Sequence, residues 1–390
     1  MNNLNSKFFR RALFFIFFLL LAGSSSTALA TGDAENKLQA QTNKSYLPVI
    51  IHKYHTQNLT WKIQAVDQSH IFSDMGNHSI ATSNNGRPCI AYGSDRLYLA
   101  CYDGITWKIE TADNTANVGK YASLAIDNSG NIHISYYNAA NKQLKYAKRT
   151  GTTWAVSTVE TTTDVGMYTS IALDSDGYPH ITYMDEGHDY LKYARWTGSR
   201  WNIQTVDSGP CVGTFTSLAL DSQDHPHISY FDFMPGNQNL KYAQWTGTAW
   251  DKQTVDILDN IGKYNSIAVD RYDNPHISYT DETHDDLKYA YWNGQTWVIM
   301  VVDGVDFTGA YTSIAVDGLG RAHIAYYDIT AADLNYARWT GSAWVIQTID
   351  SSGDVGKYPS ITLDFAGNPN ISYYDVTKQD LKFAIRNQYP

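Results

Sequence analysis

Residues 154–200 read WAVSTVETTTDVGMYTSIALDSDGYPHITYMDEGHDYLKYARWTGSR, and residues 201–249 read WNIQTVDSGPCVGTFTSLALDSQDHPHISYFDFMPGNQNLKYAQWTGTA. The second stretch restates the first, and such a period decides the fold before any local detail. Outward from this pair, a Trp recurs at 61, 107, 154, 201, 250, 297 and 344, spaced by 46, 47, 47, 49, 47 and 47 residues. A Ser recurs at 79, 123, 170, 217, 266, 313 and 360. An acidic residue stands six places after each Trp: Asp67, Asp113, Glu160, Asp207, Asp256, Asp303 and Asp350. Each unit holds four short β-rich runs, for example Ser170-Ile171-Ala172-Leu173, His180-Ile181-Thr182-Tyr183, Leu191-Lys192-Tyr193-Ala194 and residues 201–206. Gly, Asn, Asp and Pro fill the gaps, as turns require. No stretch keeps a helical period beyond a turn or two. Four strands per unit and seven units predict an all-β protein, a seven-bladed β-propeller with four antiparallel strands per blade.

The phase of the repeat adds the closure. The sequence units are 61–106, 107–153, 154–200, 201–249, 250–296, 297–343 and 344–390, and together they make one domain, 61–390. The first unit begins on a lone Trp strand, and the last ends on Leu381-Lys382-Phe383-Ala384. If the Ser run is innermost, the Trp strand is outermost, and the C-terminal blade lacks one. Residues 61–66 are expected to supply it, closing the ring and removing open sheet edges.

Ahead of the repeats, Lys7, Arg10 and Arg11 form a basic region, residues 12–22 an apolar run, and Ala28-Leu29-Ala30 a small-residue cleavage site. This reads as a signal peptide over 1–30, too short to span a bilayer, followed by a leader over 31–60. The mature chain is therefore expected to be secreted or extracytoplasmic, with no membrane span, and monomeric. Its short apolar stretch Tyr46-Leu47-Pro48-Val49-Ile50-Ile51 is expected to pack on the body.

With 43% hydrophobic and 17% charged residues the chain should fold, and its net charge of −10 argues against a nucleic-acid partner. The three Cys are too few for a disulfide scaffold. Cys89 and Cys101 sit opposite one another across a short hairpin, and in an exported protein a disulfide between them is expected. Cys211 is left over. The 29 Tyr and 11 Trp mostly follow from repetition of the same packing positions.

Several repeated residues invite a chemical reading. Seven Ser converging on an axis suggest nucleophiles, but a small residue is what a crowded axis needs. His133, His180, His227, His276 and His323 suggest a metal set, but they lie on separate blades. Each stands across a tight turn from Asp127, Asp174, Asp221, Asp270 or Asp317, so a buried Asp–His staple is expected. Blade 1 carries Cys89 at the His position, and blade 7 carries Asn370. Asp185, Asp232, Asp281, Asp328 and Asp375, with Asp189, Asp286, Asp333 and Asp380, bracket the top hairpins, where Asp commonly caps its own turn. No metal is assigned and no cofactor is required. Calcium stays open as a ligand of these clustered oxygens, although no Asp-x-Asp-x-Asp-Gly loop is present.

The turns before the repeated Trp read Gly151-Thr152-Thr153-Trp154, Gly198-Ser199-Arg200-Trp201 and Gly294-Gln295-Thr296-Trp297. They resemble the second half of the Asp-box of sialidase-superfamily propellers, with the defining Asp replaced as at Trp196, Trp339 and Arg149. Over 61–390 the repeat is similar to the BNR-like tandem repeats of secreted bacterial propellers. That resemblance implies a range of activities, among them polysaccharide lyases and glycosidases. A sialidase would need an arginine triad, and no trio of Arg is placed for a top pocket to gather.

Two functions of different class follow. The first is a binding module for a glycan or a cell-surface protein. Tyr121, Tyr168, Tyr264, Tyr311 and Tyr358, with Phe215, recur two residues before the Ser, at the entrance of the channel. Lys120, Lys263 and Lys357 sit beside three of them. Aromatic rings suit the C–H faces of sugars, and repetition suggests several weak sites acting together. The second is a polysaccharide-active enzyme, a lyase or glycoside hydrolase, on the top of blades 3–5. There Glu186 and His188, and Glu282 and His284, flank an enlarged loop at 232–239, and these four are the catalytic candidates. The three Lys would then supply a basic patch for an acidic substrate.

Overall fold

The computed structural model describes residues 45–46 and 60–386, apart from 71–73, 77, 163, 237 and 258–259. The expected signal peptide and nearly all of the expected leader lie outside these residues. From Trp61 onward the chain is all β: seven sheets of four antiparallel strands, six of them consecutive in the chain and the seventh completed by Trp61–Asp67, arranged as a ring of blades. The third blade shows the plan, with an inner strand Val165–Leu173, then Pro179–Asp185, Tyr190–Trp196 and the outer Trp201–Asp207. The first blade has the shortest inner strand, Ile80–Thr82.

Closure follows the phase of the repeat. Trp61–Asp67 pairs antiparallel with Asp380–Arg386, so the seventh sheet is built from both ends of the repeat region. Its side chains lock it on both flanks. The Trp61 indole N–H donates to Gln347 of blade 6 at 3.4 Å, and Gln64 accepts the Trp107 indole N–H of blade 1 at 3.1 Å. One element was not read from the sequence: Ser45–Tyr46 pairs in parallel with Val298 and Ile299 on the outer edge of blade 5.

The core is a set of layers between blades. Leu191, Tyr193 and Val206 of blade 3 pack with Val212, Leu218, Ile228, Tyr230 and Ala243 of blade 4. Second strands are buried on both faces, as in Pro226–Asp232, while the outer strand Trp250–Asp256 alternates. Full burial of a ring such as Tyr230 contributes about 2–3 kcal/mol.

Three polar networks repeat with the fold. The Ser set staples inner strands rather than serving as nucleophiles. Ser123 Oγ accepts the Ile171 N–H at 3.0 Å, and Ser170, Ser217, Ser266, Ser313 and Ser360 do the same for the next blade, between 2.9 and 3.3 Å. The His–Asp staple is also present, for instance His180 Nε2 at 3.3 Å from Asp174. It extends to a residue that the sequence reading missed. Tyr146, Tyr193, Tyr242, Tyr289 and Tyr336 each donate a hydroxyl proton to the Nδ1 of the same blade's His, at 2.5–2.7 Å. A carboxylate only accepts, so Nε2 must carry the ring proton and Nδ1 must accept. Burial lowers the pKa of His133, His180 and His323 to about 4, so these rings are neutral.

The third network surrounds the acid six places after each Trp. Asp256 accepts the Tyr279 hydroxyl at 2.9 Å and meets Lys288 at 3.1 Å, and Lys288 also meets Asp281 at 3.1 Å. Burial opposes the Lys288 charge, but the two carboxylates outweigh it and raise its pKa. The equivalent cluster of blade 3 joins Tyr183, Lys192 and Glu160. The acids ending the second strands use a remaining oxygen to cap their own turns. Asp281 accepts the N–H groups of Thr283 and His284, and Asp375 that of Lys378. Among the described residues no group of three His, Cys, Asp or Glu is placed to hold a metal ion. Cys89 and Cys101, paired directly across their strands, are joined by a disulfide, and Cys211 is a free thiol.

Candidate functional site

At the top of the axis lies a cavity of about 210 Å³, walled by Tyr121, Tyr168, Phe215, Tyr264, Tyr311 and Tyr358. Each of the six has φ between 51° and 56°. Non-glycine residues there cost about 1–2 kcal/mol apiece. A bulge in each inner strand produces the turn, as between Lys263 and Ser266. The preceding Gly permits it: a Cβ on Gly262 would stand 2.6 Å from Leu240 Cα. Blade 1 breaks the set and puts Asp74, Met75 and Gly76 in the wall instead.

The rings are set like turbine vanes. Neighbouring planes meet at 42°, 53°, 59°, 49° and 60°. A seven-bladed ring turns by about 51° per blade, so the planes run parallel to the axis. Centroids are 4.4–4.8 Å apart and every contact is tilted, so each ring packs against its neighbours. The expectation of several repeated sites is corrected, since the six rings wall one cavity.

The phenols interact in pairs, Tyr121 with Tyr168, and Tyr264 and Tyr358 each with Tyr311. A phenol both donates and accepts, so these hydroxyls can answer either kind of ligand group. Burial, together with neighbouring phenols and Asp74, raises the pKa of Tyr121 and Tyr358, so these hydroxyls stay protonated. Deeper on the axis, His78 Nε2 lies 2.5 Å from Ser217 Oγ and 3.5 Å from Ser266 Oγ, spanning from blade 1 to blades 4 and 5. Surrounding protein lowers its pKa to about 4, so a neutral imidazole stands in the channel.

The three Lys do not form a basic patch. Lys120 pairs with Asp74 at 2.9 Å, Lys263 with Glu282 at 2.5 Å and Lys357 with Asp354 at 3.3 Å. The blade 3 and blade 5 loops do not line the cavity. His188 and His284 are half exposed, and each bonds the Asp that opens its turn, at 3.0 and 2.9 Å. Glu186 and Glu282 differ. Glu282 is held by Lys263 and Asn260. Blade 3 carries Met167 where blade 5 carries Lys263, and the Glu186 pKa is raised by partial burial, Asp189 and Asp164. The six aromatic residues that the sequence placed at the channel entrance line the axial cavity. Asp74 was missed because it lies in the blade that departs from the repeat.

No family model matches the chain, and no curated protein matches it. Among solved structures, it is similar to a polysaccharide lyase of a family described as PL25 ulvan lyase, at 14% identity over 82% of this chain and 96% of that one, with a TM-score of 0.54. It is also similar to the polysaccharide lyase Uly1, at 11% identity over 88% and 96% of the two chains, TM-score 0.54. A six-bladed fungal lectin matches at 12% identity over 68% and 94%, TM-score 0.45. At these identities the first two likenesses are to the propeller fold alone, and the third is too low in score to add to them.

Proposed function

We propose that this propeller is an exported, monomeric carbohydrate-binding module that takes one sugar residue of a glycan, free or carried on a cell surface, in the axial cavity. The observation that carries the reading is the make-up of the wall: five tyrosines and one phenylalanine, all at positive φ, with the Asp74 carboxylate in the gap, surround a cavity of about 210 Å³. A sugar hydroxyl both donates and accepts, which suits such a mixed wall. The likeness to carbohydrate-active propellers is compatible with this and no more. A glycan array followed by titration calorimetry tests it. Tyr311→Phe keeps the ring packing and removes a wall hydroxyl, so affinity should fall about tenfold or more. Unchanged affinity in a Tyr168→Phe/Tyr311→Phe double variant defeats the reading. Sequencing the N-terminus of the exported protein tests cleavage after Ala30.

A second reading, a polysaccharide lyase or glycoside hydrolase, is favoured by Glu186 alone. Its raised pKa suits a proton donor, and its field reaches Tyr168 and Tyr137. Product formation on a polysaccharide panel, abolished by Glu186→Gln, supports that reading, and a flat signal on every substrate removes it.

A further inference from the structure

A second cavity lies at the bottom of the junction between blades 2 and 3, beside a departure from the repeat. At four blade junctions the outer-strand Trp donates its indole N–H to a Gln on the neighbouring outer strand: Trp61 to Gln347, Trp107 to Gln64, Trp250 to Gln204 and Trp297 to Gln253, at 3.0–3.4 Å. The Gln stands three residues after its own Trp. In blade 2 that place holds Ser157, which is too short to reach. Among the described residues the Trp201 indole N–H has no protein acceptor, yet it is not sealed off. Trp154 and Trp344 also lack an acceptor, but their indole nitrogens are buried. At Trp201 the missing Gln coincides with an open groove of about 340 Å³, whereas the groove of equal size at the junction of blades 7 and 1 keeps its Gln64, which answers the Trp107 indole.

We propose that this groove binds a neutral pyranose, with the ligand taking the place of the missing glutamine side chain. Trp196, Trp201 and Tyr178 line it, and Tyr178 is 37% exposed. Trp196 and Tyr146 both meet the Trp201 ring edge-on, at 5.4 Å, which holds the indole in place. Aromatic surface suits the C–H face of a sugar ring. Lys148 has no carboxylate partner among the described residues and donates, and Asp127 and the exposed Asp176 accept. Donors and acceptors beside aromatic surface suit a hydroxylated ligand, and the second carboxylate disfavours an acidic one. The site does not share a residue with the axial cavity and does not depend on its reading.

The test is the indole N–H spectrum of the ¹⁵N-labelled protein, with the Trp201 signal assigned by its loss in Trp201→Phe. Glucose, galactose, mannose, fucose and N-acetylglucosamine are added singly. At least one should shift the Trp201 signal saturably, with Kd of order millimolar. Ser157→Gln restores the residue that answers the indole N–H at four other junctions. It should leave the melting temperature unchanged or higher and abolish the shift. Lys148→Met should weaken binding several-fold, and Tyr311→Phe in the axial cavity should leave it intact. No shift with any sugar at about 100 mM overturns the proposal, and so does a full-strength shift in Ser157→Gln.

Discussion

The buried histidines make stability fall on mild acidification. His133, His180 and His323 are 0–2% exposed, and burial, the dominant cause, lowers each pKa to about 4 from 6.5. Above pH 6.5 each ring is neutral in the folded and the unfolded chain, and linkage is silent. Below it the unfolded chain binds a proton that the fold refuses until about pH 4. Stability is therefore full above pH 6.5 and is lost as pH falls towards 4. One pKa unit is worth about 1.4 kcal/mol, so each histidine forfeits roughly 3 kcal/mol across the window. By pH 5 these three together forfeit roughly 6 kcal/mol, comparable with the whole stability of many domains. His78, also lowered to about 4, adds to this, as do His227 and His276, whose pKa values burial lowers too. Denaturant midpoints measured from pH 8 to pH 4.5 should show a slope of about four protons or more. A double swap, His323→Asn with Tyr336→Phe, copies the Asn370 and Phe383 pair that blade 7 uses. It should cost about 1–3 kcal/mol at pH 8 for the buried amide, and it should reduce the slope by about one proton. Midpoints that stay flat from pH 7.5 to pH 5 refute the reasoning, as does an unchanged slope in the double swap.

Removing one ion of a buried cluster should be costly: Lys288→Met leaves Asp256 and Asp281 buried without their cation and should destabilise by about 3–5 kcal/mol in urea titrations. Ser266→Ala leaves the Ile314 N–H without an acceptor and should cost about 1–3 kcal/mol, lowering the melting temperature by several degrees. Deletion through Asp67 removes the closing strand and both of its indole–amide bridges, and calorimetry should show a broadened transition at markedly lower temperature. Deletion of 31–44 leaves that strand intact and should melt within a few degrees of the full chain.

The fold was legible because a closed ring asks the same thing of every blade. Trp, Ser and the acid six places on recur since each one bridges or staples neighbouring strands, and seven copies reveal the phase and hence the closure. The site was only half legible. The φ-positive aromatic was found by its place before the Ser, but the orientation of its ring follows from seven-fold packing distances that no single repeat encodes. The Tyr–His bond escaped notice because its partners lie thirteen residues apart in four blades and fifteen in the other. The Ser45–Tyr46 strand escaped because two residues carry no period.

Departures from the repeat separate into two kinds, and the separation bears on function. Some are coupled. Where blade 1 replaces His by Cys89, the Tyr of the triad becomes Leu99 and a disulfide to Cys101 takes over the link between strands. Blade 7 replaces His by Asn370 and the Tyr becomes Phe383, so no hydroxyl is left seeking a ring nitrogen. The blade 1 change leaves no polar group behind, the blade 7 change leaves the buried Asn370 amide without a hydrogen-bond partner, and both positions are buried. Others are uncoupled. Ser157 removes an acceptor and nothing on the protein replaces it at Trp201. Asp74 opens the aromatic wall, and its Lys120 partner leaves it 35% exposed at the cavity. An unanswered polar group in a sealed core only costs stability, whereas one facing an open cavity can be answered by a ligand. On that physical ground the axial gap at blade 1 and the groove beside Trp201 are where the two proposed ligands would bind.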